Sequence, residues 1–293
     1  MLLVGSILYL AIIFGVLLWR GISIEPEYVV LALVLVAFAL GRGKQFIFDF
    51  VPFLILFLAY EQLGGLTGRT GIAPHDIGAW EQALFGGTLP NVWLQSHLYD
   101  PPHSTLLHWL TMGFYFMHFV VPMGTGFILW LKDRRRYWIF VATLLAMSLV
   151  AFVFYLFFPT APPWYQYPHQ VHHVLDEVIN GWGVNYYESP LFTFDSDKFA
   201  AFPSLHAAYP TLAAVSVWGL NRKLGVAFFA YSLCVYFSIV YLGEHYVLDI
   251  LAAIVLVALV STVVFQVSAR LFPAQTADSA LVSPRRGDSR TRR

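Results

Sequence analysis

Long apolar stretches separated by brief polar interruptions set the pattern of this chain. A stretch of ~20 apolar residues crosses a ~30 Å hydrocarbon core as a helix. Such stretches recur at about 2–19, 28–41, 46–66, 105–131, 137–158, 203–220, 224–242 and 246–266, the second short and the third carrying polar residues. No basic region precedes the first and no small-residue cleavage site follows it, so it reads as a retained span or signal anchor, not a removed signal peptide. The pattern predicts an all-α, polytopic integral membrane helix bundle of about eight spans. Two longer mixed segments, about 67–104 and 159–202, interrupt it. In the first, Trp80, Leu84, Phe85, Trp93 and Leu94 alternate with polar residues, which predicts short amphipathic helices anchored at a membrane interface. In the second, "FPTAPPWYQYPHQVHH", Pro159, Pro162 and Pro163 forbid a regular helix.

Composition agrees: 58% of the 293 residues are hydrophobic and 12% charged, against about 25% charged in a soluble domain. The net charge of zero gives no basic field for nucleic acid, and the single cysteine, Cys234, supplies neither a disulfide framework nor a cysteine metal site. The lysines and arginines decide orientation, because they collect on the cytoplasmic side. Eight spans put fourteen of them on one side, in the segments 41–45, 132–136, 221–223 and 267–293, and leave only Arg20, Arg69 and Lys198 on the other. Both termini are then expected in the cytoplasm, with the two long segments outside it, in the plasma membrane if the source is bacterial. The polar, basic tail over 267–293 is expected to be disordered.

All ten histidines lie in spans or on the outward side. Two stretches concentrate chemistry at the outward ends of spans. "KFAAFPSLHAAYPTLAAVSV" puts Ser204 and His206 where a polar loop enters the sixth span. "YLGEHYVLDILAA" puts His245 at the start of the eighth, with Asp249 one turn deeper on the same helix face. If these spans pack together, two histidines, a carboxylate and a hydroxyl share one pocket. A carboxylate fixes the tautomer of His245 and leaves a nucleophilic nitrogen. A second histidine can protonate a leaving alkoxide, and helix-start N–H groups beside Ser204 suit a phosphate. The combination points to phosphoryl transfer through a phosphohistidine, with no metal or diffusible cofactor. Three other readings use the same residues: polar glue between helices, a two-His, one-carboxylate metal site, and a non-enzymatic transporter or scaffold, against which the absence of broken mid-membrane helices counts. His97, His103, His172 and His173 read as surface or interface residues; His108 and His118, on the fourth span, either line the pocket or pack, and packing is the preferred reading.

"FPSLHAA" and "SIVYLGEHYVLD" resemble the second and third signature motifs of the type 2 phosphatidic acid phosphatase superfamily. The similarity is greatest to the branch that contains inositol phosphorylceramide synthases, to which "PTAPPWY" is also similar. The resemblance runs from about 46 to 266, which makes 1–45 two added N-terminal spans, 46–266 a catalytic membrane domain with a six-helix core, and 267–293 a tail. It implies a lipid phosphatase or phosphotransferase acting on a membrane lipid, with transfer of a phosphoinositol-type head group as one form. It implies His245 as nucleophile, Asp249 as its orienter, His206 as general acid, and Ser204 with adjacent backbone as holder of the phosphoryl oxygens. Two departures stand out. Ile239 occupies the arginine position of the third motif, after Ser238, and no K-x-x-x-x-x-x-R-P first motif is present. Lys198 and Arg69 are the natural substitutes for those cations, and Trp164 and Tyr165 are candidates to line a head-group or acyl entrance.

Overall fold

The computed structural model describes residues 26–63, 70–101, 105–181 and 199–271, and every extended run of regular structure among them is helical. In chain order the helices are α1 (Pro26–Ala39), α2 (Gly43–Leu63), α3 (Ile77–Leu84), α4 (Pro90–Leu98), α5 (Leu106–Lys132) and α6 (Arg134–Phe157). They continue with α7 (Pro163–Gln166), α8 (Val174–Gly181), α9 (Leu205–Trp218), α10 (Arg222–Tyr241) and α11 (Val247–Leu271).

Hydrophobic length accounts for the long helices. Among the described residues α6, α10 and α11 are long and apolar enough to cross a membrane, and α5 makes a fourth if its two halves, bent by 51° between His118 and Val120, form one span. The bend has a local cause in Pro122, which has no N–H for the His118 carbonyl four residues back and crowds it, and it corrects the expectation that no span is broken. The helix expected over 203–220 is shorter, at 14 residues, or about 21 Å. Its missing length is residues 203–204 before it and 219–220 after it, and it packs at the centre of the bundle against α10, α5, α11 and α6. Of the tail expected to be disordered over 267–293, residues 267–271 instead complete α11, because the apolar run continues through Val267 and Leu271; residues 272–293 and the first expected span lie outside the described residues.

The basic end of the bundle is tied by one buried carboxylate. Asp49 on α2 accepts the Trp130 indole N–H at 2.8 Å and an Arg134 guanidinium N–H at 2.5 Å, and its backbone carbonyl accepts the Tyr137 hydroxyl at 3.0 Å. These bonds join α2, α5 and α6. Arg42 lies over the Trp130 ring, 4.2 Å from its centroid. The main apolar core runs from here along α5, α6, α9, α10 and α11.

The opposite end, where α9 and α11 begin, is covered by the two mixed segments. The first forms α3 and α4, with Trp80, Leu84, Phe85 and Trp93 exposed, as their pattern predicts. The second opens in extended backbone, Thr160 bridging to Ala200, before α7 and α8. A small second core of Ile77, Leu89, Val171 and Tyr246 seals these pieces onto the bundle.

Candidate active site

Asn221 and Ser204 start the helices on either side of α9's connection, Ser204 by accepting the Ala207 N–H at 3.2 Å as the N-cap of α9. The backbone N–H of Ser204 donates to the Asp249 carbonyl at 3.3 Å, and the Tyr155 hydroxyl of α6 donates to the Pro203 carbonyl at 2.8 Å. The starts of α9 and α11 are thereby held side by side.

Within that junction the side chains form a chain. Asp249, fully buried, accepts at Oδ2 from His245 Nδ1 at 3.2 Å and from the Tyr246 N–H at 2.9 Å. Because Nδ1 of His245 faces a carboxylate, it carries the hydrogen, and Nε2 keeps its lone pair. Nε2 lies 3.2 Å from His206 Nδ1, which must then be the donor in that contact. The order is therefore hydrogen on His206, lone pair on His245, carboxylate behind it. The four residues singled out from "FPSLHAA" and "GEHYVLD" meet in one place.

Of the two readings of His118, packing is the one preferred from sequence, but the structure brings it to the pocket: its ring centroid is 4.0 Å from that of His206. Tyr115, one turn earlier on α5, stacks on the same imidazole at 4.6 Å. The Pro122 bend is the sequence signal that marks this position. His173, expected at the surface, is buried: its Nε2 pairs with Glu244 at 3.0 Å and its ring stacks on Trp164 at 4.1 Å. The Trp164 indole N–H donates to the same carboxylate at 3.2 Å. Trp164 thus braces the residue next to His245, while Tyr165 is exposed and meets Trp164 edge-on. Lys198 and Arg69 lie outside the described residues.

Other side chains shape the loop that carries His245. Asn91 donates to the Val240 and His245 carbonyls at 2.7 and 3.0 Å. Gln95, four residues on, donates to the Tyr241 and His172 carbonyls at 2.9 Å each. Carboxamides spaced i, i+4 on one face of a short helix were the available signal. Gly243 turns with φ +87, and a Cβ there would sit 2.7 Å from the His172 carbonyl oxygen. Glu81 of α3, with no exposed surface, accepts the Leu248 N–H at 2.9 Å and so caps α11 beside Asp249. Burial pushes its carboxyl up from 4.5 to about 7; the Leu248 and Val247 N–H groups oppose the rise and the Asp249 charge adds to it. Among the described residues, no group of three or more His, Cys, Asp or Glu side chains is disposed to hold a metal ion.

A helical membrane bundle with a His–His–Asp chain between the starts of two packed helices is the class these observations define. The chain belongs to the PAP2 superfamily, whose family model matches residues 75–263, from just before α3 to the last third of α11. It is 27% identical over 266 residues to a phosphoinositol dihydroceramide synthase of Bacteroides thetaiotaomicron, covering 85% of this chain and 87% of that protein. It is 28% identical over 245 residues to the inositol phosphorylceramide synthase catalytic subunit AUR1 of Saccharomyces cerevisiae, covering 78% of this chain and 58% of the yeast protein. No solved structure matches it.

Proposed function

We propose that this protein is a lipid phosphotransferase that moves a phosphorylated head group, of the phosphoinositol type, from a membrane lipid to an acceptor through a covalent histidine intermediate. The observation that carries the reading is the chain His206–His245–Asp249, supported by membership of the PAP2 superfamily and by relatives named as inositol phosphorylceramide synthases. In the first half-reaction the His245 Nε2 lone pair forms an N–P bond. The P–O bond to the lipid alcohol breaks, and the His206 Nδ1 proton goes to the departing oxygen. In the second, the acceptor hydroxyl oxygen attacks phosphorus, His206 takes its proton, and the N–P bond breaks. Asp249 holds the Nδ1 hydrogen of His245 throughout and offsets the positive charge that the ring gains on phosphorylation.

In-line displacement puts nucleophile and acid on opposite sides of phosphorus. An attack distance of about 3–3.5 Å and a hydrogen bond of about 3 Å to the leaving oxygen then separate the two nitrogens by roughly 7 Å. The 3.2 Å contact between them is a resting state, and the phosphoryl group enters by parting the two rings. Ser204 and the first N–H groups of α9 hold phosphoryl oxygens, Lys198 and Arg69 add charge from the outward segments, and Tyr165 lines the lipid entrance. Residues 46–266 form the catalytic domain, preceded by two spans over 1–45 and followed by a cytoplasmic segment over 267–293 whose first residues end α11. Eight spans place the histidine end outside the cytoplasm, both termini inside it, and the nine described lysines and arginines at the inner face.

The test incubates purified protein with a panel of glycerophospholipids and lipid phosphates, with and without a long-chain alcohol acceptor. Transfer of the head group to the alcohol is the expected result. Release of free phosphate instead identifies a phosphatase, and neither product removes the enzymatic reading in favour of a transporter or scaffold.

A further inference from the structure

A buried phosphoryl anion needs positive charge close by. All described lysines and arginines belong to the basic end, in or beside the turns 41–44 and 132–136, the start of α10 and the end of α11. At the other end the arginine position of the third motif is Ile239, fully buried in the apolar core. What gathers there is a third imidazole. His118 is 6% exposed, its ring touches that of His206, and it stands at the 51° break in α5.

From this placement we infer that His118 is a phosphate-binding residue that becomes a cation by taking up a proton as the anionic substrate enters. The inference rests on the reading that the histidine group handles a phosphoryl anion. The local geometry favours a chargeable group. His118 Nδ1 lies 2.7 Å from the Tyr115 carbonyl of its own helix, so Nδ1 carries a hydrogen and Nε2 is the nitrogen that gains the proton. The same bond orients the ring from within α5. A permanent cation beside His206 would hold that ring neutral in the resting state and oppose its role as acid. A proton that arrives with the anion avoids this conflict.

The titratable groups on the elements packed around α5 include one other imidazole. His206 comes from α9 with Tyr209, and His245 and Asp249 stand behind it; α10 brings Arg222 and Lys223 at its start, Cys234, Tyr241, Tyr231 donating to the Phe114 carbonyl at 3.5 Å, and Tyr236 bonded to Thr211; α6 brings Tyr137 and Tyr155. The charged residues of α6 are Arg134, Arg135 and Arg136 in its first turn, and α1 brings Glu27 in its first turn. His118 is the member of this set that is imidazole, next to His206, and unused by the transfer steps above.

The test is calorimetric titration of the detergent-solubilised full chain with tungstate, a tetrahedral dianion that does not itself titrate near pH 7. Titrations run in pairs of buffers that differ in ionisation heat, from pH 6.5 to 8.5. Wild type should take up about one proton per anion, with affinity falling about tenfold per pH unit at the alkaline end, the slope that one linked proton imposes. His118→Gln should bind roughly 10- to 100-fold more weakly and without uptake; His118→Asn replaces it if the Gln variant does not fold. His118→Arg, charged at every pH used, should bind tightly with no pH slope. Proton uptake that persists unchanged in His118→Gln overturns the inference, as does a wild type that binds without uptake or not at all. A wild type that shows this signature yet transfers no head group from any lipid sustains the anion site and removes only the transferase reading.

Discussion

Replacing Glu81 by Gln should flatten the pH dependence of stability. The wild-type carboxyl is completely buried and titrates near 7 instead of 4.5, desolvation being the main cause. A carboxyl whose pKa is raised on folding favours the folded state while it is protonated. That contribution is fully present below pH 4.5 and is lost as pH rises through about 7. At ~1.4 kcal/mol per unit, the loss between those limits is about 3 kcal/mol. Glutamine keeps a carbonyl oxygen for the Leu248 N–H and has no charge to desolvate. Chemical denaturation in detergent at pH 5, 6, 7 and 8.5 should show wild type losing about 2.5 kcal/mol relative to the variant, most of it between pH 5 and 7. Parallel stability curves across that range would refute the argument, since every other titrating group is common to both proteins.

Asp249→Asn preserves shape but removes the charge that fixes the His245 tautomer, and turnover should fall by about four decades, as in serine-protease triads, with the far-ultraviolet spectrum unchanged; near-normal turnover would show that the pair is structural. Lys198→Ala and Arg69→Ala each remove a charge assigned to the phosphate, a loss of roughly 10- to 150-fold in rate for a charge-assisted contact, and normal turnover in both would cancel that assignment. In a Cys234→Ala background, Asn180→Cys should react with an impermeant thiol reagent on intact cells and Arg222→Cys should not; the reverse pattern inverts the topology.

Much of the fold is legible because a membrane constrains helices by length. The expected spans 105–131, 137–158, 224–242 and 246–266 correspond to α5, α6, α10 and α11 within a few residues at each end. The approach to α9 is less so, since Pro203 and the N-cap Ser204 are buried without being helical. The pairing of His245 with Asp249 follows from one helical turn, and Ser204 with His206 from a polar loop entering an apolar helix. Their meeting needs the Ser204 N–H to Asp249 carbonyl bond between α9 and α11, which is long-range and leaves no local pattern. The same holds for His173, whose partner Glu244 is 71 residues away, and for Glu81, which caps a helix 167 residues further on. Between the two fourth-span histidines the choice is legible in His118: a histidine four residues before a proline, inside an apolar helix, marks a place where the helix breaks.

The central claim is that His245 carries the transferred group. Protein incubated with a donor labelled at its phosphodiester phosphorus, quenched in alkali to preserve phosphoramidate and digested, should yield one labelled peptide, with the label on His245 and discharged by added acceptor alcohol. Label on any other residue, or a His245→Ala protein that still transfers the head group, would contradict the account.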